Sequence, residues 1–165
     1  MIKLIGCSVV NRSLVCTIMA VLIFWVSTAL ADKSDFDRVK ERVVTELIPK
    51  AVHDGRVQEL LETFKPDSTW PEIDYQDVSR EAFEHRFHSS NMMILAGAYR
   101  NPDSEYFKNS QVKVTLIKAL AFWVQNDFFC DNWWHNQIGT PRNLVTILLL
   151  VGDEMPQELV EKAQP

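Results

Sequence analysis

Apolar positions recur at helical spacing through most of the chain. Phe36, Val39, Val43, Val44, Leu47 and Ile48 fall three and four residues apart, the stripe of an amphipathic helix. Ser34 or Asp35 stands where a cap belongs, and Pro49 ends or bends the run. Val57, Leu60, Leu61 and Phe64 mark a shorter helix, broken by Lys65-Pro66-Asp67-Ser68-Thr69. Trp70-Pro71-Glu72-Ile73-Asp74-Tyr75 reads as extended, because Pro71 biases Trp70 away from helical angles. A helix from about Ser79 to Tyr99 puts Phe83, Phe87, Ile94, Leu95 and Ala98 on its buried face and stops at Asn101-Pro102-Asp103. The next, from about Asn109 to Val124, turns Val112, Leu116, Ala119, Leu120 and Trp123 inward. After a loop at Asn132-Trp133-Trp134 and a Gly139-Thr140-Pro141 turn, Leu144–Val151 is apolar nearly all round and calls for burial on most sides. Met155-Pro156-Gln157-Glu158 opens a final helix. No alternating strand pattern and no long repeat interrupts this order. The expected class is all-α, built from antiparallel helix hairpins.

The first 31 residues carry a different pattern. Lys3 and Arg12 precede an apolar run, Leu14 to Ala29, which ends at the small-residue signal Ala29-Leu30-Ala31. This is the pattern of a secretory signal peptide cut before Asp32. A membrane anchor is the rival reading, although the run is short of the roughly 20 residues that a span requires. Leu4-Ile5-Gly6-Cys7 has the form of a lipoprotein box but lacks an apolar core before it. Cleavage removes Cys7 and Cys16, leaving Cys130 without an internal disulfide partner. The product is expected to be secreted or periplasmic, with no stable membrane association.

Charge narrows the partners. The chain has 17 basic and 22 acidic residues, and losing Lys3 and Arg12 leaves 15 against 22, a net of −7. Such a balance argues against nucleic acid as a partner. A polyanionic ligand would need its positive charge concentrated locally.

Candidate chemistry centres on Asn132-Trp133-Trp134-His135-Asn136-Gln137. An indole face suits the C–H face of a sugar ring, and Asn and Gln side chains suit its hydroxyls. The alternative puts one tryptophan in the core and the other over a loop. Tyr75 suits a ring packed at a helix entrance with its hydroxyl bonded to backbone. Arg80, Arg86 and Arg142 have the geometry for sugar carboxylates, and equally serve as solvated or structural charges. His85 and His88, with Cys130 and His135, have metal-ligating types, but nothing in the sequence joins the two pairs. No cofactor or metal is implied.

Two segments together resemble polysaccharide lyase family 8, the hyaluronate, chondroitin and xanthan lyases. One is Asn132 to Pro141 with the apolar helix behind it. The other is Trp70 to Asp77, followed by Ser79-Arg80 and a helix with His85 and Arg86; here Ser68-Thr69 stands where many members have Gly-Ser. The resemblance implies a partial α/α toroid, an acidic, glycosaminoglycan-like polysaccharide as partner, and β-elimination at a uronic acid as the chemistry. It gives Asn132, Trp133 and Trp134 a substrate-contact role; Gln137 is a candidate contact by its amide, and His135 suits either substrate contact or a hydrogen bond that orients the loop. The family's Asn, His, Tyr and Arg catalytic set maps to none of these residues, so no catalytic residue is assigned. Residues 32–165 then read as the N-terminal portion of a toroid, ending before the catalytic region and leaving apolar surface uncovered. The rival readings are a non-catalytic helical carbohydrate-binding protein and a membrane-tethered helical interaction domain.

Overall fold

The computed structural model describes residues 34–164. The apolar Leu14–Ala29 run, the cleavage signal, Cys7 and Cys16 lie outside these residues. The chain divides into two units, one up to Arg38 and one from Val39 onward. In the first, Ser34 is the cap: its hydroxyl accepts the Asp37 N–H at 3.1 Å, and Phe36 is exposed. Helix α1 (Asp35–Leu47) begins there.

In the second unit, α1 ends at Leu47 and is followed by α2 (Asp54–Thr63), α3 (His85–Arg100), α4 (Ser110–Asn126), a π-helical turn (His135–Gly139), α5 (Thr140–Val151) and α6 (Gln157–Ala163). The described residues contain helices and irregular turns and no strand. None of their helices is long and apolar enough to cross a membrane. The fold is all-α, of the α/α-toroid type.

Helix α3 is central. It packs against α2, α4 and α5. The Lys108 N–H reaches the Tyr99 carbonyl, and His88 meets the Ala119 carbonyl, so α3 and α4 form an antiparallel hairpin. On another side, the Asn143 side chain donates to Ser89 Oγ at 3.0 Å, joining α5 to α3. With neighbours on three sides, α3 buries small and polar residues as well as apolar ones. Ser89, Asn91, Ala96, Gly97 and Ala98 are covered, while Phe87 and Ile94 face outward. The expected burial of Phe87 and Ile94 was therefore wrong. Apolar periodicity located one stripe, whereas close helix approach selected the small-residue face. At Gly97 the reason is steric, since a Cβ would stand 2.9 Å from Cγ of Pro49.

Helix α4 follows its pattern. Val112, Leu116, Ala119, Leu120 and Trp123 are all buried. Each large apolar side chain buried in this way contributes about 1.5–3 kcal/mol. Asn109 caps α4 by accepting the Gln111 and Val112 N–H groups, and Asp127 ends it in the left-handed region. Helix α1 departs from its pattern, for Val44 is its buried residue while Val39 and Val43 are exposed. In α5, Leu144, Ile147, Leu150 and Val151 are buried but Val145 is exposed, so the helix is covered on fewer sides than its composition suggested.

Two local readings also change. The segment from Trp70 is not extended. It makes two tight turns, with Ile73 N–H to the Trp70 carbonyl and Asp77 N–H to the Asp74 carbonyl. Helix α3 starts at His85 rather than near Ser79. Asp77 accepts the N–H groups of Ser79 and Glu84, and Phe83 takes a φ of 37°. An aspartate offering its carboxylate to the backbone competes with helix formation.

Candidate functional site

The Asn132 segment is a helix start rather than a loop. The Asn132 side-chain oxygen accepts the Trp134 N–H at 3.1 Å, and its carbonyl accepts the His135 N–H at 3.1 Å. This is N-capping, which satisfies donors that the first helical turn leaves free. His135–Gly139 then forms a wide turn closed by Thr140 N–H to the His135 carbonyl. Pro141 supplies a cause. It has no N–H, and its ring crowds the carbonyl four residues back, so the chain widens before α5 becomes regular. The expected Gly-Thr-Pro turn is thus part of a continuous helical entry.

Capping aims both indoles outward. Trp133 is 58% exposed and Trp134 40%, with Phe129 and Ile138 also exposed. Gln137 is exposed as well. Asn132 and Asn136 are occupied. Asn132 Nδ2 donates to the Arg80 carbonyl at 3.0 Å. Asn136 exchanges two hydrogen bonds with the Cys130 main chain, at 2.7 and 3.1 Å. Their amides hold the segment to its neighbours.

His135 lies between Trp134 and Phe83, with ring centroids 5.2 Å from each. Burial, and secondarily the positive charge of Arg86, hold its pKa below the ordinary histidine value. Arg86 lies over the Phe87 ring at 4.7 Å, and Arg80 is exposed nearby in the chain segment that Asn132 holds.

Tyr75, in the other segment, is held by hydrogen bonds within the fold. Its hydroxyl accepts the Trp70 N–H at 3.1 Å and donates to His88 Nδ1 at 2.8 Å. His88 Nε2 in turn donates to the Ala119 carbonyl at 3.0 Å. That assignment leaves His88 neutral, and burial pushes its pKa down to about 4. Burial likewise raises Tyr75 to about 12. His85 donates from Nε2 to the Tyr75 carbonyl and stacks on Phe128. The described residues contain no cluster of three or more His, Cys, Asp or Glu arranged to hold a metal.

Ring contacts run without a break from one segment to the other. Trp70 meets His88, His88 meets Tyr75, Tyr75 meets His85, His85 meets Phe83, and Phe83 meets His135 beside Trp134. The two stretches that stood out in the sequence are thus parts of one aromatic layer.

Residues 25–164 match the family model described as polysaccharide lyase family 8, N terminal alpha-helical domain. The chain belongs to this family. Chondroitinase-AC of Pedobacter heparinus is 30% identical over 114 residues, covering 68% of this chain and 16% of that enzyme. A polysaccharide lyase 8 family protein, HylA, of Enterococcus faecalis is 30% identical over 78 residues, covering 44% of this chain and 6% of that protein. A solved structure of chondroitinase AC lyase, from a study of enzyme–oligosaccharide complexes, superposes with a TM-score of 0.71 at 29% identity, covering 76% of this chain and 19% of that one. This family 8 chain therefore spans less than a fifth of the length of these relatives.

An apolar cavity of about 360 Å³ lies elsewhere, lined by Leu47, Pro49, Val52, Met93, Gly97 and Leu150. Its polar rim includes Arg56, which is already engaged by Glu59, Glu72 and Asn91. Sequence reasoning missed the part that Gly139 plays beneath Trp134. A Cβ on Gly139 would come within 2.7 Å of Trp134 Cζ3. The glycine was visible, but the wide turn that stacks it there was not.

Proposed function

We propose that this chain is the N-terminal helical portion of a secreted or periplasmic polysaccharide lyase acting on uronic-acid polymers of the hyaluronan and chondroitin type by β-elimination. In this reading it supplies an aromatic substrate-binding surface, with proton abstraction assigned to other parts of such an enzyme. Trp133 and Trp134 carry sugar rings, Gln137 reaches hydroxyls, and His135 backs Trp134. Asn132 serves by holding the segment.

The observation that carries the proposal is the pair of adjacent indoles left 58% and 40% exposed by a capped helix start. Adjacent exposed rings offer flat apolar faces on which a ligand can stack. Arg80 and Arg86 provide positive charge on the same segment pair in an otherwise acidic chain. Export rests on the apolar run and the Ala29-Leu30-Ala31 signal, and sequencing the N-terminus of exported protein tests it.

Titrating the chain with a chondroitin hexasaccharide, read by tryptophan fluorescence and calorimetry, tests the binding role. Saturable binding, lost in the Trp133→Ala, Trp134→Ala double variant, is expected. Absence of binding to chondroitin, hyaluronan and xanthan fragments alike would defeat it. Ultraviolet absorbance of the unsaturated product should show no turnover by this chain, since elimination requires acid, base and carboxylate neutralisation in one place.

A further inference from the structure

The geometry points to Gly139 as a positioning residue that sets the attitude of the Trp134 ring, an inference that rests on the sugar-stacking reading of that ring. Gly139 is buried and has ordinary right-handed helical angles, φ −63° and ψ −55°. The backbone therefore does not require glycine. Alanine is the better helix former at such a position. What excludes a side chain is Trp134. A Cβ would lie 2.7 Å from its Cζ3 and 3.2 Å from its Cε3, and 3.3 Å from His135 Nδ1.

The indole therefore rests an edge of its six-membered ring against bare backbone, with the His135 ring nearly perpendicular beside it at 82°. The wide turn makes this contact. With closure between His135 and Thr140, residues five apart come onto one side. In a regular helix the neighbours of residue 134 would be residues 137 and 138. Because Trp134 is 40% exposed, its ring has room to swing outward. Gly139→Ala thus leaves a foldable chain with a re-aimed indole. Trp133, more exposed, has no such seat assigned to it, so the two rings differ in how firmly they are held.

The test is a cycle of Gly139→Ala, Trp134→Ala and the double variant. Each is measured for thermal stability, near-ultraviolet circular dichroism and chondroitin hexasaccharide binding. Gly139→Ala should remain folded, change the tryptophan dichroism, and weaken binding about tenfold. In the Trp134→Ala background the same change should leave affinity and dichroism unaltered and cost less stability than in the parent, because only the 3.3 Å approach to His135 Nδ1 remains. Unchanged affinity in Gly139→Ala, or an equal loss in both backgrounds, would overturn the inference. A parent chain that binds no hexasaccharide defeats the sugar reading by itself. The dichroism then decides the positioning role, and an identical spectrum for parent and Gly139→Ala would overturn it.

Discussion

The side-chain amide of Asn132 donates to the main-chain carbonyl of Arg80 at 3.0 Å, across 52 positions of sequence. With its other end, the same side chain caps Trp134. A single residue therefore links the two segments that carry the family 8 resemblance. It also fixes where the paired indoles emerge. The neighbouring Asp131 N–H to Val78 carbonyl bond, 3.0 Å long, reinforces the link.

Replacing Asn132 separates these duties. Asn132→Ala should lose about 1–2 kcal/mol, from the missing cap and an Arg80 carbonyl left without its donor. Asn132→Asp restores an acceptor for the cap but has no donor for Arg80. It should fall between parent and alanine variant. Urea unfolding of the three proteins checks the order, and an aspartate variant no better than alanine would contradict it.

Tyr75→Phe should destabilise by about 1–3 kcal/mol, although it removes one oxygen. The loss leaves the Trp70 N–H and His88 Nδ1 unpaired in a covered region. Hexasaccharide affinity, measured where the variant is fully folded, should remain at the parent value. A catalytic or direct sugar-binding role for Tyr75 would give the opposite split.

His88 predicts acid sensitivity. Its folded pKa of about 4 lies below the ordinary 6.5, so the fold favours the neutral ring. Its contribution is complete above pH 6.5 and is lost as pH falls toward 4, amounting to about 3 kcal/mol across that interval. Unfolding midpoints recorded from pH 7 to pH 4 should fall, and His88→Gln should flatten the decline. An unchanged slope in that variant would assign the acid effect elsewhere.

Single replacement of either exposed indole should affect binding more than stability. Trp133→Ala and Trp134→Ala should each weaken hexasaccharide binding about tenfold while changing unfolding free energy by about 0.5 kcal/mol or less for the more exposed Trp133. Calorimetric titration alongside thermal unfolding checks both quantities.

Helix order, the inward face of α4, a helix start near Asn109 and the family resemblance carried by the Trp70 and Trp133-Trp134 segments were legible in the residues themselves. Those features depend on spacing and local hydrogen bonding, which a linear chain displays. The residues could not show that α3 would be enclosed on three sides, because enclosure depends on helices distant in sequence. For that reason Ser89 and Gly97 are buried while Phe87 and Ile94 are not. Nor could they show the late start of α3, where the Asp77 carboxylate captures the amides that a longer helix would have used. The Trp-Trp stretch looked like a loop because Gly139 and Pro141 are turn residues in isolation. Tertiary packing made it a widened helical entry, with Asn132 tied to Arg80 and an indole seated on Gly139. Sequence determined which side chains were available; contacts across the fold decided which were covered and which remained exposed.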